Sequence, residues 1–332
     1  MEKILTVVIP SYNVEKYIDK CLKSFVNINC MRDIEVLVVN DGSTDKTAEI
    51  AKKFADEYPS SFVLLNKENG GHGSTINYAI PRARGKYFKV VDGDDWVDTQ
   101  KLPEFVSMLK KVDSDMISND FNLIEDETWK LRERRKAVKN SYYYDKEWGF
   151  AEAVTEPEIT IHSLTVKTEI LKNNPIKLDE HCFYEDQEYI LYPVPYCTTI
   201  TFSSIPLYQY RVGRAGQSID VNVMIRRQKQ HMRVIESLLA YSDIHADNLP
   251  TFKKKYFNKL IAEVIEDEYR IFLAKGNDKQ NVGEMIALDK RLKKNYPAIY
   301  ASCSRKSVWL IRKTNYKIFP VGVWIFKLFN RK

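Results

Sequence analysis

The feature that most constrains the fold is a set of apolar runs that alternate with segments of helical spacing. Residues 4–9 (ILTVVI) and 34–39 (IEVLVV) are almost continuously apolar, as is typical of strands buried on both faces of a sheet. Shorter runs of the same kind occupy 62–65 and 87–91, and apolar residues in 14–25 fall at helical spacing. Strands that alternate with helices predict a parallel sheet with right-handed crossovers, so the predicted fold class is α/β.

The second half of the chain has a different pattern. Residues 120–160 are polar, and we expect the basic run 132–136 to form a solvated helix face. From about residue 222 apolar residues recur three and four positions apart, which predicts a C-terminal helical subdomain. A chain of 332 residues can hold two domains, and we predict them at 1–220 and 221–332.

The positive charge is concentrated in the C-terminal tail. The net charge is +6, but residues 305–332 contain eight basic residues and no acidic one, so the rest of the chain sums to −2. A nucleic-acid groove in the N-terminal half is therefore disfavoured. Aromatic residues interleaved with Lys and Arg predict contact of 305–332 with an anionic membrane surface. The alternatives are a helix packed on the body of the protein or a subunit contact.

Cysteine usage and hydropathy indicate the compartment. The five cysteines are scattered without CxxC or Cys/His metal spacing, which fits free thiols in a reducing cytoplasm. No run of about 18 apolar residues is present, so we expect no membrane span. We predict a cytoplasmic protein, peripheral on the inner membrane face if the tail binds lipid.

Three carboxylates crowd into the segment that follows the apolar run 87–91. Asp92, Asp94 and Asp95 repel one another, and they stand where open α/β folds bind ligands, at the carboxyl end of a strand. Hard oxygen ligands suit Mg²⁺ or Mn²⁺, which commonly bridge to substrate phosphates. The sequence predicts a metal site here, with a solvated acidic turn as the alternative and no clear ligand role for Asp95.

Two further loops follow predicted strands. Asp41, in the loop NDGSTD, either accepts a hydrogen bond from a base N–H or belongs to an ordinary helix-capping turn. The loop 67–75 holds three glycines that let the backbone approach a ligand closely, but it matches neither dinucleotide nor P-loop fingerprints. His72 within it is either a surface residue or a functional one. Because parallel strands end at one edge, we expect these loops to converge with the acidic cluster.

Two motifs in the middle of the chain carry candidate chemistry. Glu185 and Asp186 are flanked by tyrosines, and partial burial would raise a carboxylate pKa towards that of a general base; a helix N-terminus is the alternative. The loop 208–218 carries Arg214 and Ser218, which could donate hydrogen bonds to a diphosphate or lie in an exposed turn.

Taken in order, these motifs resemble those of family 2 inverting glycosyltransferases with the GT-A fold. The motifs are VVIPSYN, VVNDGSTD, ENGGHGSTIN, VVDGDDW, FYEDQEY and QYRVGRAGQS, and they cover residues 4–220. The resemblance is to bacterial enzymes that build capsular, teichoic-acid or glycoprotein glycans. It implies a Rossmann-like, mostly parallel central sheet flanked by helices.

The resemblance also implies roles for residues near the nucleotide. It implies a uracil and ribose pocket lined by Pro10, Tyr12 and Asp41, with the glycine loop at Gly71 close to the donor. In one respect the chain departs from the pattern, because Ile76 stands where many relatives carry an arginine. The missing cation would then be supplied by His72 or Arg214.

Further roles concern the diphosphate and the acceptor. By resemblance, Asp92 contacts the ribose or the metal, Asp94 ligates Mn²⁺ or Mg²⁺ on the diphosphate, and Arg214 and Ser218 contact the diphosphate. Asp186 matches the catalytic base, with Glu185 beside it as the fallback.

The predicted function is metal-dependent inverting transfer of a hexose or N-acetylhexosamine from a UDP-sugar to a glycan acceptor, lipid-linked or protein-linked. A non-catalytic nucleotide-sugar binding partner is the main alternative. A sugar-nucleotide nucleotidyltransferase is disfavoured because residues 10–13 contain no glycine. A two-carboxylate glycosidase has no need of the uridine-type loops.

Overall fold

The protein divides into two compact units, Met1–Arg214 and Ala215–Lys332. The structure, a computed structural model, describes residues 3–153, 159–213, 217 and 220–329. The domain boundary expected from the sequence, at 220/221, stays a prediction.

The N-terminal unit is built on ten strands and seven α-helices within the described residues. The strands are β1 Lys3–Ser11, β2 Ile34–Asp41, β3 Phe62–Lys67, β4 Gly85–Val90, β5 Trp96–Val97, β6 Met116–Glu125, β7 Leu131–Arg135, β8 Glu147–Gly149, β9 Leu164–Lys167 and β10 Thr199–Val212. The helices are α1 Ile18–Lys23, α2 Thr47–Glu57, α3 His72–Ala79, α4 Leu102–Lys111, α5 Phe150–Ala153, α6 Thr168–Asn173 and α7 Asp186–Leu191.

All ten strands belong to one sheet, in the order β3-β2-β1-β4-β9-β6-β10-β5, with β7 beside β6 and β8 beside β10. The first four strands in that order are parallel, with Val7 of β1 between Val36 of β2 and Lys89 of β4. Among the described strands, the antiparallel pairs involve β5, β7, β8 and β9. The α/β fold class is confirmed.

The apolar runs form the centre of the sheet because both of its faces are covered. Every residue of β2 is buried, and so is β1 from Leu5 to Ser11. Leu5, Val7 and Ile9 share one cluster with apolar residues of α1 and α4. Each such aliphatic side chain contributes about 2 kcal/mol when it leaves water, so these strands are strongly fixed in register.

The basic run 132–136 differs from its prediction. It lies largely in β7, which pairs with β6 and whose residues are all exposed, rather than on a helix. Alternation is absent there because neither face of β7 is buried, so hydropathy carries no strand signal.

Six strands end at the same edge of the sheet. β9 is antiparallel to both β4 and β6, so β6 runs in the same direction as β4. β10 is parallel to β6, so β4, β6 and β10 all share the direction of β1, β2 and β3. Their last residues are Ser11, Asp41, Lys67, Val90, Glu125 and Val212. The predicted convergence of the loops after the first four strands is confirmed by this topology.

The C-terminal unit is helical over its described residues. Its helices are α8 Val221–Arg226, α9 Gln228–His245, α10 Thr251–Lys275, α11 Lys279–Asn295, α12 Pro297–Ser302, α13 Lys306–Lys313 and α14 Phe319–Phe329. Buried Asp289 of α11 accepts hydrogen bonds from Tyr269 of α10, from Arg312 Nε of α13 at 2.7 Å and from Tyr316 at 2.8 Å. Across the described residues, none of these helices has both the length and the hydropathy of a membrane span.

Candidate active site

Asp41, at the end of β2, anchors the glycine loop. Its buried carboxylate accepts hydrogen bonds from Lys67 Nζ at 2.7 Å and Asn69 Nδ2 at 3.1 Å. The backbone N–H groups of Gly70 and Gly71 donate to it at 2.9 and 2.8 Å. A charged amine, a side-chain amide and two backbone amides therefore converge on one carboxylate. A base N–H, as predicted for Asp41, would have to share these oxygens.

The glycines bring a distant segment against this loop. Gly71 has φ +86°, and a Cβ there would lie 3.2 Å from the backbone nitrogen of His181. A Cβ at Gly73 would collide with the carbonyl of Asp179. His181 N–H in turn donates to the Gly70 carbonyl. The glycines thus allow residues 179–182, which lead into α7, to lie close against the loop. The close approach to a ligand that they predicted stays a prediction.

His72, the first residue of α3, bridges two carboxylates. Its Nδ1 donates to Glu185 Oε1 at 2.6 Å and its Nε2 donates to Asp92 Oδ1 at 2.9 Å. Burial opposes protonation, but the hydrogen bonds and charges of Asp92 and Glu185 outweigh it and hold the pKa of His72 well above its ordinary value. The bridge ties the acidic cluster after β4 to the segment that carries Asp186.

Asp95 joins the acidic cluster to β10. Its Oδ2 accepts from Tyr208 Oη at 2.7 Å, and its Oδ1 accepts from the Arg211 backbone N–H at 2.8 Å. Burial, followed by the charges of Asp94 and Asp92, raises the pKa of Asp95 well above its usual range. Through its two hydrogen bonds, Asp95 positions the acidic loop against β10. Tyr208 also donates to Asp92 Oδ2 at 3.3 Å.

The donor atoms around Asp92 fit a hard divalent cation. Ligand atoms of Asp92, Asp95 and His162 lie within 4.8 Å of one another, and Asp94 is partly buried in the same loop. Burial lowers the pKa of His162 to about 4, so the ring is neutral and able to ligate. Carboxylate oxygens are the ligands that Mg²⁺ and Mn²⁺ prefer. The sequence predicted Asp92 and Asp94 as ligands and did not identify His162. The group of ligand atoms found among the described residues contains Asp92, but with Asp95 and His162 rather than Asp94, so the role of Asp94 stays a prediction.

Asp186 is the first residue of α7 and is only partly buried. Burial, followed by the charge of Glu185, raises the pKa of Asp186 to about 6. A carboxyl with such a pKa is ionised at neutral pH yet basic enough to take a proton. Glu185 is buried and bonded to His72, so Asp186 is the better placed of the predicted pair to act as a base.

The remaining predicted residues are distributed as follows. Pro10 is buried near the end of β1, where its carbonyl accepts from Gly93 N–H at 3.2 Å, and Tyr12 is half exposed. Ile76 is fully buried in α3. Arg214 and Ser218 lie outside the described residues, so their predicted diphosphate contacts stay predictions.

Sequence reasoning also missed Lys67 and Arg211. Lys67 stands within a loop that the sequence singled out; it forms an ion pair with Asp41 and donates to Ser74 Oγ at 2.8 Å, in the same helix as Ile76. Arg211 donates from Nε to the Asp94 carbonyl at 2.9 Å. In the sequence, only its place within the QYRVGRAGQS motif could have pointed to Arg211.

The matching family and two curated relatives of this chain are all glycosyltransferases. The model of the family "Glycosyl transferase family 2" matches residues 6–172, about half of the chain. "Glycosyltransferase GlyA" of Streptococcus pneumoniae is 34% identical over 124 residues, which are 37% of this chain and 18% of that protein. The poly(ribitol-phosphate) beta-N-acetylglucosaminyltransferase TarS of Staphylococcus aureus is 25% identical over 64% of this chain and 36% of its own length. The chain thus matches well under two thirds of the length of these curated relatives.

Solved structures extend the likeness to the whole fold. Residues 1–349 of S. aureus TarS, in complex with UDP-GlcNAc, superpose with a TM-score of 0.65 at 18% identity, covering 97% of this chain and 92% of that one. The mannosyltransferase PcManGT of Pyrobaculum calidifontis, in complex with GDP-Man and Mn²⁺, gives a TM-score of 0.51 at 14% identity, covering 100% and 89%. At these identities the likeness establishes the GT-A fold alone.

Proposed function

Because the chain belongs to glycosyl transferase family 2, we propose that it transfers a hexose or N-acetylhexosamine from a UDP-sugar to a glycan acceptor. The observation that carries the proposal is that a candidate base and a candidate metal-binding cluster of carboxylates lie at the same end of the sheet. Asp186 has the pKa of a base, and the His72 bridge links its segment to the acidic cluster at Asp92. The UDP-GlcNAc bound by TarS supports a UDP-sugar as donor.

The donor is proposed to lie along the loops that follow β1, β2 and β3. Tyr12 offers an exposed aromatic ring for the base, and the glycine loop, anchored by Asp41, is proposed to present its backbone to the donor. Arg214 and Ser218 are proposed to contact the diphosphate. A preorganised loop loses less conformational freedom on binding, which favours affinity for the nucleotide.

A divalent cation, Mn²⁺ or Mg²⁺, is proposed at the acidic cluster. Asp92 and Asp94 would hold it, with His162 as a neutral ligand nearby; the cation would offset the charge that develops on the departing diphosphate. The mannosyltransferase structure with Mn²⁺ supports this on a shared fold. His72, positively charged between Asp92 and Glu185, limits the carboxylate repulsion that the cluster would otherwise carry.

The chemical step is proposed as a single displacement. Asp186 takes the proton of the acceptor hydroxyl, and the oxygen attacks the anomeric carbon opposite the leaving UDP. Glu185 is held by His72, so proton transfer is assigned to Asp186 alone and no covalent glycosyl-enzyme intermediate is proposed. One displacement inverts the anomeric centre, so an α-linked donor gives a β-linked product.

The acceptor is proposed to be a cell-surface polysaccharide, a teichoic acid or a glycoprotein glycan. The name of TarS, which gives poly(ribitol-phosphate) as its acceptor, supports that range. A non-catalytic nucleotide-sugar partner remains the second candidate. It binds UDP-sugar without releasing UDP, whereas the nucleotidyltransferase alternative produces pyrophosphate.

A screen of UDP-sugars tests the proposal without knowledge of the acceptor. The full chain is incubated with each UDP-sugar and Mn²⁺, and released UDP is measured, because slow hydrolysis uses water in place of the acceptor. We expect release from one or a few donors and its loss on chelation of the metal. Tight UDP-sugar binding with no release for any donor would favour the non-catalytic partner.

The C-terminal tail is proposed to contact an anionic membrane surface. Helix α14 buries only Phe319 and Val323, while Trp324 is 64% and Phe329 80% exposed. Basic residues of the same tail supply the attraction to anionic lipid. The exposed apolar face supports lipid contact, while Gly322 packs on Leu273, so one face of the helix is also docked. The cytoplasmic location stays a prediction.

Liposome flotation tests the tail. Truncation before residue 305 would remove Arg312 from its buried pair with Asp289, so paired substitutions Trp324→Glu and Leu328→Glu are the better change. We expect them to abolish flotation with anionic vesicles. Ile244→Glu, at another exposed apolar side chain, is the matched control and should float like the wild type. Equal flotation of all three proteins would contradict membrane contact by the tail.

A further inference from the structure

A cluster of aromatic and cationic side chains lies at the edge of the sheet that carries the candidate active site. We call Tyr17, Lys20, Trp96, Trp129 and Arg211 the cation–aromatic cluster. Lys20 Nζ lies 3.5 Å from the ring centroid of Trp96 and 3.4 Å from that of Trp129. The Arg211 guanidinium lies 4.6 Å from Trp129 and 4.8 Å from Tyr17. Two cations thus share one set of rings.

The charges of this cluster are not balanced. Arg211 Nη1 pairs with Asp126 at 2.8 Å. The Lys20 ammonium contacts only the two indole rings and has no hydrogen bond or carboxylate partner among the residues that the structure describes. Burial and then the charge of Arg211 lower the pKa of Lys20 to about 8. A second cation held beside Arg211 without an anion is unfavourable in the free protein, and a bound anion would relieve it.

The cluster is built close to the acidic loop. Trp96 follows Asp94 by two residues, and Arg211 donates to the Asp94 carbonyl. Trp129 lies in the turn between β6 and β7 with φ +58°, a conformation that bulky residues rarely adopt, and it is 50% exposed. A strained turn that keeps an indole side chain half exposed to solvent is a feature of binding sites.

An open cleft adjoins the cluster. Its volume is about 450 Å³, and Lys20, Lys23, Trp96, Gln100 and Gln209 are among its lining residues. Two ammonium groups, two side-chain amides and an indole ring give this cleft the mixture of cationic, polar and aromatic surface that suits a charged carbohydrate. Asp98 also lines it, but its Oδ1 accepts from the Gln100 and Lys101 backbone N–H groups.

We propose that the cation–aromatic cluster is the acceptor subsite and that the acceptor is an anionic carbohydrate chain. A phosphodiester or carboxylate of the chain pairs with Lys20, and the carbon skeleton of its sugar or polyol lies against the exposed face of Trp129. The inference rests on the proposed function, because it assigns the acceptor side of that same site. It goes beyond that function in naming the charge of the substrate and the residues that select it.

Calorimetry on the full chain, with UDP and Mn²⁺ present, tests the proposal. The probes are a glycerol phosphate oligomer, an oligogalacturonate and a neutral malto-oligosaccharide of similar length. We expect one or both anionic probes to bind and the neutral one not to bind; which of the two anions binds distinguishes phosphate from carboxylate. Lys20→Gln should weaken the anionic probe about tenfold. Lys52→Gln, an exposed lysine on α2 with the same change of charge, should not.

Trp129→Ala separates the two halves of the subsite. It should weaken the oligomer but leave the weak binding of inorganic phosphate unchanged, whereas Lys20→Gln should weaken both. Equal binding of neutral and anionic probes, or no effect of Lys20→Gln, would overturn the inference. So would an equal loss of UDP affinity in Lys20→Gln, because that assigns Lys20 to the donor. Failure of the wild type to bind UDP, with Lys20-dependent anion binding intact, would instead overturn the proposed function.

Discussion

Asp289 and Asp92 are carboxylates of the two units, and they are used in opposite ways. Asp289 is 1% exposed, and its oxygens are occupied by Tyr269, Arg312 and Tyr316 within the C-terminal unit. Asp92 is 28% exposed and stands beside two other carboxylates that repel it. One network is closed, with each charge matched inside the protein, and it fixes helices. The other keeps the Asp92 carboxylate partly exposed beside Asp94 and Asp95, as a cation-binding site requires.

Within the part of the chain that the structure describes, Arg312 and Lys20 differ in the same way, one cation being paired inside the protein and the other not. Arg312 is committed to Asp289, and its ring contact with Tyr300 adds to a buried, fully paired environment. Lys20, in contrast, rests on two indole rings with no paired carboxylate among the described residues. Closed networks predict effects on stability when they are broken, whereas open ones predict effects on binding and rate.

The largest expected effect is that of Asp186→Asn. The amide cannot accept the acceptor proton, so we expect transfer to fall about 10³-fold, within the range that a general base contributes. UDP affinity should be retained because Asp186 is not among the predicted nucleotide contacts. Transfer kinetics and UDP calorimetry are the two measurements. A variant that turns over at the wild-type rate would remove Asp186 from the mechanism.

Asp289→Ala should act on stability instead. It leaves Arg312 buried without its partner, which costs about 3 kcal/mol in the free energy of unfolding. Urea unfolding of the full chain is the measurement, and the transition of the C-terminal unit should move to lower urea. Glu236→Gln, which removes an exposed ion pair with Arg291, is the control and should have little effect. Comparable shifts for both variants would show that the Asp289 network is not the stabilising element.

Local patterns predicted the parts of the site that are set by strand direction. The apolar runs at β1, β2 and β4 are buried on both faces, and parallel strands must end together, so the placement of Asp41 and the Asp92 loop at one edge of the sheet followed from the sequence. The GT-A fold followed from the order of the motifs. Neither inference required knowledge of side-chain contacts.

Contacts made through tertiary register could not be predicted in this way. Tyr208 and Arg211 reach Asp95 because β10 pairs with β5 and is parallel to β6, a register that no local pattern encodes. His162 lies just before β9 in a segment without periodicity, and it is brought to Asp92 only by the pairing of β9 with β4. The same holds for Lys67, whose partner Asp41 lies 26 residues away in sequence.

The pH dependence of transfer by the wild-type protein tests the assignment of Asp186 as the base at the open end of the sheet. Asp186 acts as a base only when ionised, and its pKa is raised to about 6. Activity is therefore present above that pH and is lost as pH falls through it. We expect kcat/KM at pH 5 to be about tenfold below its value at pH 7. An acid limb near pH 4, the ordinary carboxyl value, would contradict the assigned base.

The smallest expected effect comes from His72→Gln, and it distinguishes a charge effect from simple damage to the site. The positive charge of His72 lowers the pKa of Asp186, while burial and Glu185 raise it, so removal of His72 should move the acid limb of kcat/KM to higher pH. We expect about a threefold loss of activity at pH 7 and a much smaller loss at pH 9, where Asp186 is ionised in both proteins. Thr75→Ser, which keeps a hydroxyl able to donate to the His72 carbonyl, is the matched control in the same helix. A loss that is equal at all pH values would mean that His72 only holds Asp92 and Glu185 in place. The bridge would then resemble the closed network around Asp289 more than an open site.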